Sequence, residues 1–136
     1  MGRQSGDAPV IHLDTHVVVW LYAGEHDRIP RGLRDRLDAE PLAVSPMVRL
    51  ELAFLNEIGR LAHAPAQVLD ELQRSLGLMA DATPFVDVVA VAATDRLDFT
   101  RDPFDRLIAA QAIAAQASLA TKDKALRKHV DVAVWT

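Results

Sequence analysis

Five carboxylates in this chain stand where chemistry on a cation-bound substrate would need them. Asp14 directly follows the apolar run Val10-Ile11-His12-Leu13, and Asp123 comes two residues after Thr121 at the close of a later run. Asp102 and Asp105 open the stretch Asp102-Pro103-Phe104-Asp105-Arg106. Glu51 lies inside an apolar stripe of Met47, Leu50, Phe54, Leu55 and Ile58, one helical turn from Leu55. A carboxylate on a core-facing stripe is costly to bury alone, so Glu51 needs a partner. Two like charges 4 Å apart repel by about 4 kcal/mol at an effective dielectric of 20. A cluster of Asp14, Glu51, Asp105 and Asp123 would raise its own pKa values or loosen the fold unless a hard divalent cation sat among them. Carboxylate oxygens suit Mg²⁺, with Mn²⁺ as a substitute, and such a site activates water for in-line attack on a phosphodiester. With those four charges set aside, the formal net charge of −4 falls to zero over the rest of the chain.

Each acid also has a local explanation. Asp14 and Asp123 are suited to cap a following helix, and Asp102 to cap the helix that Pro103 begins, with Asp105 at its third position. Glu51 can reach solvent or pair with Arg49 or Lys122. Taken singly these readings stay open; taken together they leave the gathering of four acids at one edge as coincidence.

The elements that must position these residues follow from start and stop signals. Val10 to Leu13 reads as a buried strand, and the next helix carries Val17 to Tyr22 and stops at Gly24. Pro30 opens a basic helix to about Ala39. Leu42 to Val44 is a second strand, after which Ser45-Pro46 supplies the cap and first-turn proline of a helix through Val48 to Ile58, closed by Gly59. A further helix fits Ala66 to Leu76, ended by Gly77. Thr83-Pro84 repeats the start signal, and Phe85 to Val91, although rich in valine, alternates poorly and is assigned to helix. Phe104 to Ala117 is a long alanine-rich helix, Leu119 to Thr121 a strand, Asp123 to Lys128 a short helix, and Val132 to Val134 the last strand. Strands alternating with helices define an α/β fold with a central, mainly parallel sheet flanked by helices. Ligands of such sheets sit outside the carboxyl ends of the strands, where Asp14, Asp123 and the helix starts fall. Residues 1–9 are expected to be a flexible segment and 10–136 a single domain.

Composition narrows the function classes. The 136 residues are 50% hydrophobic and 25% charged, enough for one folded core, but only 5% aromatic, so that core rests on Ala, Val, Leu and Ile. There is no cysteine, which excludes disulfides, thiolate zinc sites and a cysteine nucleophile, and fits a reducing cytoplasm. No apolar run approaches the ~20 residues of a membrane span, and Met1 to Pro9 is polar rather than leader-like, so no membrane association is expected. The net charge of −4 argues against holding nucleic acid by a large basic surface. Local cations must serve instead: Lys122, Lys124, Arg127 and Lys128 flank Asp123 and are assigned to phosphate contact. Arg28, Arg31, Arg34 and Arg36 form a second group, but the interspersed Asp35 and Asp38 suit a solvated face equally well. Trp20, Leu21 and Tyr22 belong to the core or to a partner-binding face.

Leu13-Asp14-Thr15-His16, Ser45 with Glu51 six residues on, Arg101-Asp102-Pro103-Phe104-Asp105-Arg106-Leu107-Ile108-Ala109-Ala110-Gln111-Ala112, and Thr121-Lys122-Asp123 occur in that order. The chain closely resembles PIN-domain ribonucleases of the VapC toxin type, from bacterial VapBC type II toxin–antitoxin pairs, over about Val10 to Trp135. The resemblance implies a PIN-like fold and a magnesium-dependent endoribonuclease in which Asp14, Glu51, Asp105 and Asp123 bind one or two metal ions. It makes Ser45 and Thr121 second-rank hydroxyls that hold the ligating acids, and Asp102 a cap first and an outer helper second. It also implies an RNA substrate, a cognate VapB-like antitoxin, a homodimer and a toxin–antitoxin hetero-oligomer.

Three rivals remain at this point. A signalling receiver domain also gathers acids around Mg²⁺, but usually places adjacent acids after its first strand, where this chain has Asp14 alone. A haloacid-dehalogenase-like phosphatase would want a second aspartate at the position of His16. A PIN-like module that binds without cleaving is the third. The His12-x-Asp14-x-His16 pattern suggests zinc only if the strand continues, whereas a helix starting at Asp14 separates the two histidines.

Overall fold

The computed structural model describes residues 9–136; the flexible segment expected at residues 1–9 lies, but for Pro9, outside the described residues. Its elements are β1 (Ile11–Leu13), α1 (Thr15–Ala23), α2 (Arg31–Ala39), β2 (Leu42–Val44), α3 (Pro46–Glu57), α4 (Pro65–Leu76), β3 (Met79–Ala80), α5 (Phe85–Ala92), α6 (Pro103–Ala114), β4 (Ser118–Ala120), α7 (Lys124–His129) and β5 (Ala133–Val134). The strands lie in the order β3-β2-β1-β4-β5, and every neighbouring pair is parallel. All three residues of β1 are buried, so both faces of the central strand are covered, as a parallel sheet between helix layers requires. The fold class is therefore the one expected.

The core is aliphatic. Ile11, Leu13, Val17, Val18, Leu33, Leu52, Ile108 and Leu119 are fully buried, and α6 adds five consecutive buried residues, Ile108 to Ala112. Its alanines let that helix run close beneath its neighbours; it packs on α5, α3 and β4. One buried polar chain crosses this region. The Asp81 carboxylate accepts from the Gln111 amide at 2.7 Å and from the Thr83 N–H at 3.0 Å, and the Gln111 carbonyl accepts from Ser45 Oγ at 3.2 Å. Burial pushes Asp81 upward, but these hydrogen bonds and the neighbouring His12 outweigh it and hold the carboxyl below its ordinary value. His12 is itself buried, 3.6 Å from Asp81, and burial holds its imidazole below the usual value despite that carboxylate.

Several local expectations are corrected. β3 was not anticipated: two residues are too short a run to show any period, and the Asp81 N–H bonds to the Val44 carbonyl to extend the pairing. Thr83 caps nothing. Pro84 takes the cap position of α5, and no side chain caps that helix. α6 ends at Ala114 rather than Ala117 because the chain reverses through Gln116, whose φ of 57° is left-handed. Thr121 lies just beyond β4, and Val132 just before β5.

The largest correction concerns α3. The expected core stripe is largely solvent-facing: Leu50 is 43%, Phe54 44% and Ile58 65% exposed, while the buried residues of α3 are Val48 and Leu52. Glu51 neighbours Leu52 at the margin of the buried face and is half-buried. The two apolar stripes differ by a rotation that composition alone does not resolve, since α3 is apolar nearly all round. Leu52→Ala is accordingly expected to cost about 2–5 kcal/mol, as for other fully buried leucines. Ile58→Ala should change stability by no more than about 0.5 kcal/mol. Urea denaturation of both variants checks the order, and a larger loss at Ile58 would restore the original stripe.

Candidate active site

Asp14 is fixed before its side chain is considered. Its N–H bonds to the Ala120 carbonyl at 3.0 Å, which ties the end of β1 to the end of β4. Its carboxylate is buried and has donors on both oxygens: Oδ1 accepts from the Thr15 N–H at 2.8 Å, and Oδ2 from Thr121 Oγ1 at 2.6 Å. The same Thr121 hydroxyl accepts the Asp123 N–H at 3.1 Å, so one buried side chain joins two acids 109 positions apart. Asp123 in turn caps α7, accepting from the Leu126 N–H at 2.9 Å.

Glu51 reaches the same edge from α3 and is held by Thr15, whose Oγ1 lies 2.5 Å from Glu51 Oε1. Neither Arg49 nor Lys122 pairs with it among the described residues. Thr15 thus serves Asp14 through its backbone and Glu51 through its side chain, a role the sequence reading missed. The signal was available only as a hydroxyl beside Asp14. Burial raises the Glu51 pKa first; Asp14 and Asp102 add to that, and Thr15 and His16 offset part of it.

Asp105 comes from the first turn of α6. Asp102 caps that helix, its Oδ1 accepting from the N–H groups of Phe104 at 2.8 Å and Asp105 at 3.3 Å. Among the described residues no group donates to the Asp105 carboxylate. Burial and then repulsion from Asp102, Asp123, Asp14 and Glu51 push it from 3.8 to about 7. Asp14, Glu51, Asp105 and Asp123 line one cleft of about 330 Å³, with His16, Trp20 and Lys122 as its remaining walls. A larger groove of about 640 Å³, whose lining includes His26, Arg31, Arg34, Asp35 and Asp38, contains none of the four acids.

The other anticipated residues divide. Thr121 touches two of the acids, whereas Ser45 touches none: it caps α3 through the Met47 N–H at 3.1 Å and binds Gln111. Asp102 is exposed and does not line the cleft. Lys122 lines it, but Lys124, Arg127 and Lys128 are exposed residues of α7 that do not. His12 faces Asp81 and His16 the cleft, so the two histidines of the zinc pattern are separated. His16 and Trp20, one helical turn apart, are cleft residues that sequence reasoning did not assign there.

The donors are all carboxylate oxygens, the set a hard divalent cation prefers. Among the described residues no three His, Cys, Asp or Glu side chains are arranged to hold a metal ion by themselves. Donor type alone fits an ion of the Mg²⁺ kind, which keeps several waters and takes one or two carboxylates.

A five-stranded parallel sheet with acids gathered at its carboxyl edge defines an α/β protein with an anionic cleft, and its order departs from the 2-1-3-4-5 of receiver-type folds. The family profile of the PIN domain matches residues 11–131, and the chain belongs to that family. It is 38% identical over 132 residues to Ribonuclease VapC22 of Mycobacterium tuberculosis, covering 90% of this chain and 96% of that protein. Two solved structures share the fold. VapBC2 from Rickettsia felis, bound to a DNA fragment from its promoter, is 20% identical with a TM-score of 0.66, covering 92% of this chain and 96% of that one. VapBC-1 from nontypeable Haemophilus influenzae is 15% identical with a TM-score of 0.66, covering 93% of this chain and 96% of that one. The resemblance read from the acidic motifs is borne out.

The crowding at Asp105 has a measurable consequence. Its folded pKa of about 7 lies above the ordinary 3.8, so between those values the folded state binds the extra proton and stability falls as pH rises. Metal-free Asp105→Asn protein is therefore expected to melt above the parent at pH 8 and to converge on it near pH 4. Mg²⁺ should raise the parent's Tm more than the variant's. A variant that melts below the parent at pH 8 without metal would contradict the repulsion.

Proposed function

We propose that this chain is a divalent-metal-dependent endoribonuclease toxin that cleaves phosphodiester bonds of cellular RNA and is held in check by a cognate VapB-like antitoxin. The observation that carries the reading is the meeting of Asp14, Glu51, Asp105 and Asp123 in one cleft of a chain closely related to a named VapC ribonuclease. Support for the antitoxin comes from the neighbours of like fold, which were solved as VapBC complexes. In this reading the protein acts in the cytoplasm, and no helix among the described residues is long and apolar enough to cross a membrane.

The cation, Mg²⁺ or Mn²⁺, would be held by carboxylates of this set and supplies charge neutralisation and Lewis acidity toward the phosphodiester. The chain's own residues do the positioning. Thr121 and the Thr15 N–H fix the rotamer of Asp14, and the Thr15 hydroxyl fixes Glu51, so these two acids are ordered before substrate arrives. Asp105, without a donor among the described residues, is the carboxylate best able to accept a proton from an attacking water. Lys122, at the cleft wall, offers a counter-charge to the phosphate; Lys124, Arg127 and Lys128 extend that charge along α7 for the flanking strand.

Exposed Leu50 and Phe54 on α3 and Ile58 just beyond it, with Phe85, Val86 and Val89 on α5, leave apolar surface of the kind that partners cover, consistent with a homodimer and a larger toxin–antitoxin assembly.

Purified protein incubated with total RNA should yield discrete new ends with Mg²⁺ or Mn²⁺ and none with EDTA. Asp14→Asn should abolish cleavage, and Thr121→Val should slow it by about 10–100-fold, the usual cost of losing a residue that orients a ligand. Binding of RNA without new ends under any metal condition would favour the non-cleaving module.

A further inference from the structure

The cleft has an aromatic wall that the acid chemistry does not use. Trp20 lies on α1, one turn beyond exposed His16, and both line the cleft. Its indole is half-buried and flanked by two rings: Trp135 sits 5.9 Å away, tilted by 54°, and His16 6.1 Å away. Two exposed cations ride on the ring, with the Arg28 guanidinium carbon 5.6 Å and the Lys122 ammonium 5.8 Å from its centroid. Trp20 packs against the core as partly buried aromatics do, and it also brings two cations to the rim of an anionic pocket, so the cleft carries an aromatic surface beside positive charge.

An unpaired stretch of RNA offers both things this wall recognises, a flat π-face and phosphates spaced along a flexible backbone. Base stacking on an aromatic side chain tolerates any base, and a ring whose orientation is already fixed loses little entropy on stacking. Lys122 and Arg28 are long and solvent-exposed, so they can pass from the ring to phosphates as a base takes their place. Resting on the ribonuclease reading above, we propose that Trp20 is the stacking platform for an unpaired nucleobase adjoining the scissile phosphodiester. Lys122 and Arg28 take the phosphates on either side of that base.

The test uses a short RNA containing one mapped cleavage position. Parent protein is assayed on a series in which each nucleotide near that position is made abasic, and Trp20→Ala and Trp20→Phe are assayed on the intact RNA and on the most affected abasic one. Trp20→Ala should raise KM by roughly 5–150-fold, the affinity range of one aromatic–base stack, with kcat within about two-fold. Trp20→Phe should restore most of the loss, and one abasic substitution should reproduce it in the parent while adding nothing further in Trp20→Ala. The abasic series needs only parent protein, so it stands even if Trp20→Ala fails to fold. Unchanged KM in a folded Trp20→Ala, equal tolerance of abasic sites at every position, or full additivity of the two changes would overturn the platform. A parent that cuts RNA while showing any of these refutes only this proposal. A parent that cuts no RNA under any metal condition refutes the ribonuclease reading and the platform with it.

Discussion

Mutual repulsion among carboxylates is the constraint around which this fold is arranged. Four acids reach one cleft from β1, α3, α6 and the β4–α7 junction, and the backbone does much to make that tolerable. Asp14 and Asp123 each accept an N–H at the start of a helix, where the peptide dipoles favour negative charge, and Asp102 does the same for α6. Thr15 and Thr121 add hydroxyl donors from residues adjoining the acids in sequence. The remainder falls on Glu51 and above all on Asp105, which has no donor among the described residues and is pushed up to about 7. Local capping and a shared anionic pocket are thus two aspects of one arrangement.

Holding the acids in register is a matter for the core. The parallel pairing of β1 with both β2 and β4 fixes where Asp14, Ser45 and Thr121 emerge, since each follows its strand directly. α6 must approach closely to present Asp105, and its run of buried alanines permits this. The Ser45–Gln111–Asp81 hydrogen bonds link the start of α3, the middle of α6 and the end of β3, so the helices that carry Glu51 and Asp105 share a buried polar tether. Such a tether has a defined geometry that apolar packing alone would not impose.

The features legible in the sequence were those set by local chemistry. Asp14, Ser45, Asp102 and Asp123 are polar side chains just before helix starts; Pro46 and Pro103 reinforce two of those starts, and Gly24 and Gly59 mark the ends of α1 and α3. Meeting of the acids was legible because strand ends in a parallel sheet share an edge. Three things were not legible. The rotation of α3 was hidden because Leu50, Leu52, Phe54 and Leu55 point in several directions round the helix, so its apolar residues alone do not orient it. β3 was hidden by its length of two residues. The cleft walls were hidden because His16 and Trp20 acquire meaning only when Lys122, from the other end of the chain, closes against them.

Whether the four acids share one cation is tested most directly by locating it. Crystals of the parent protein soaked in Mn²⁺ would report the ion through its anomalous scattering. A peak bounded by carboxylates of Asp14, Glu51, Asp105 and Asp123, and lost in Asp14→Asn crystals treated alike, is the expected result. A Mn²⁺ peak elsewhere, or an empty cleft at millimolar concentration, would contradict the shared site.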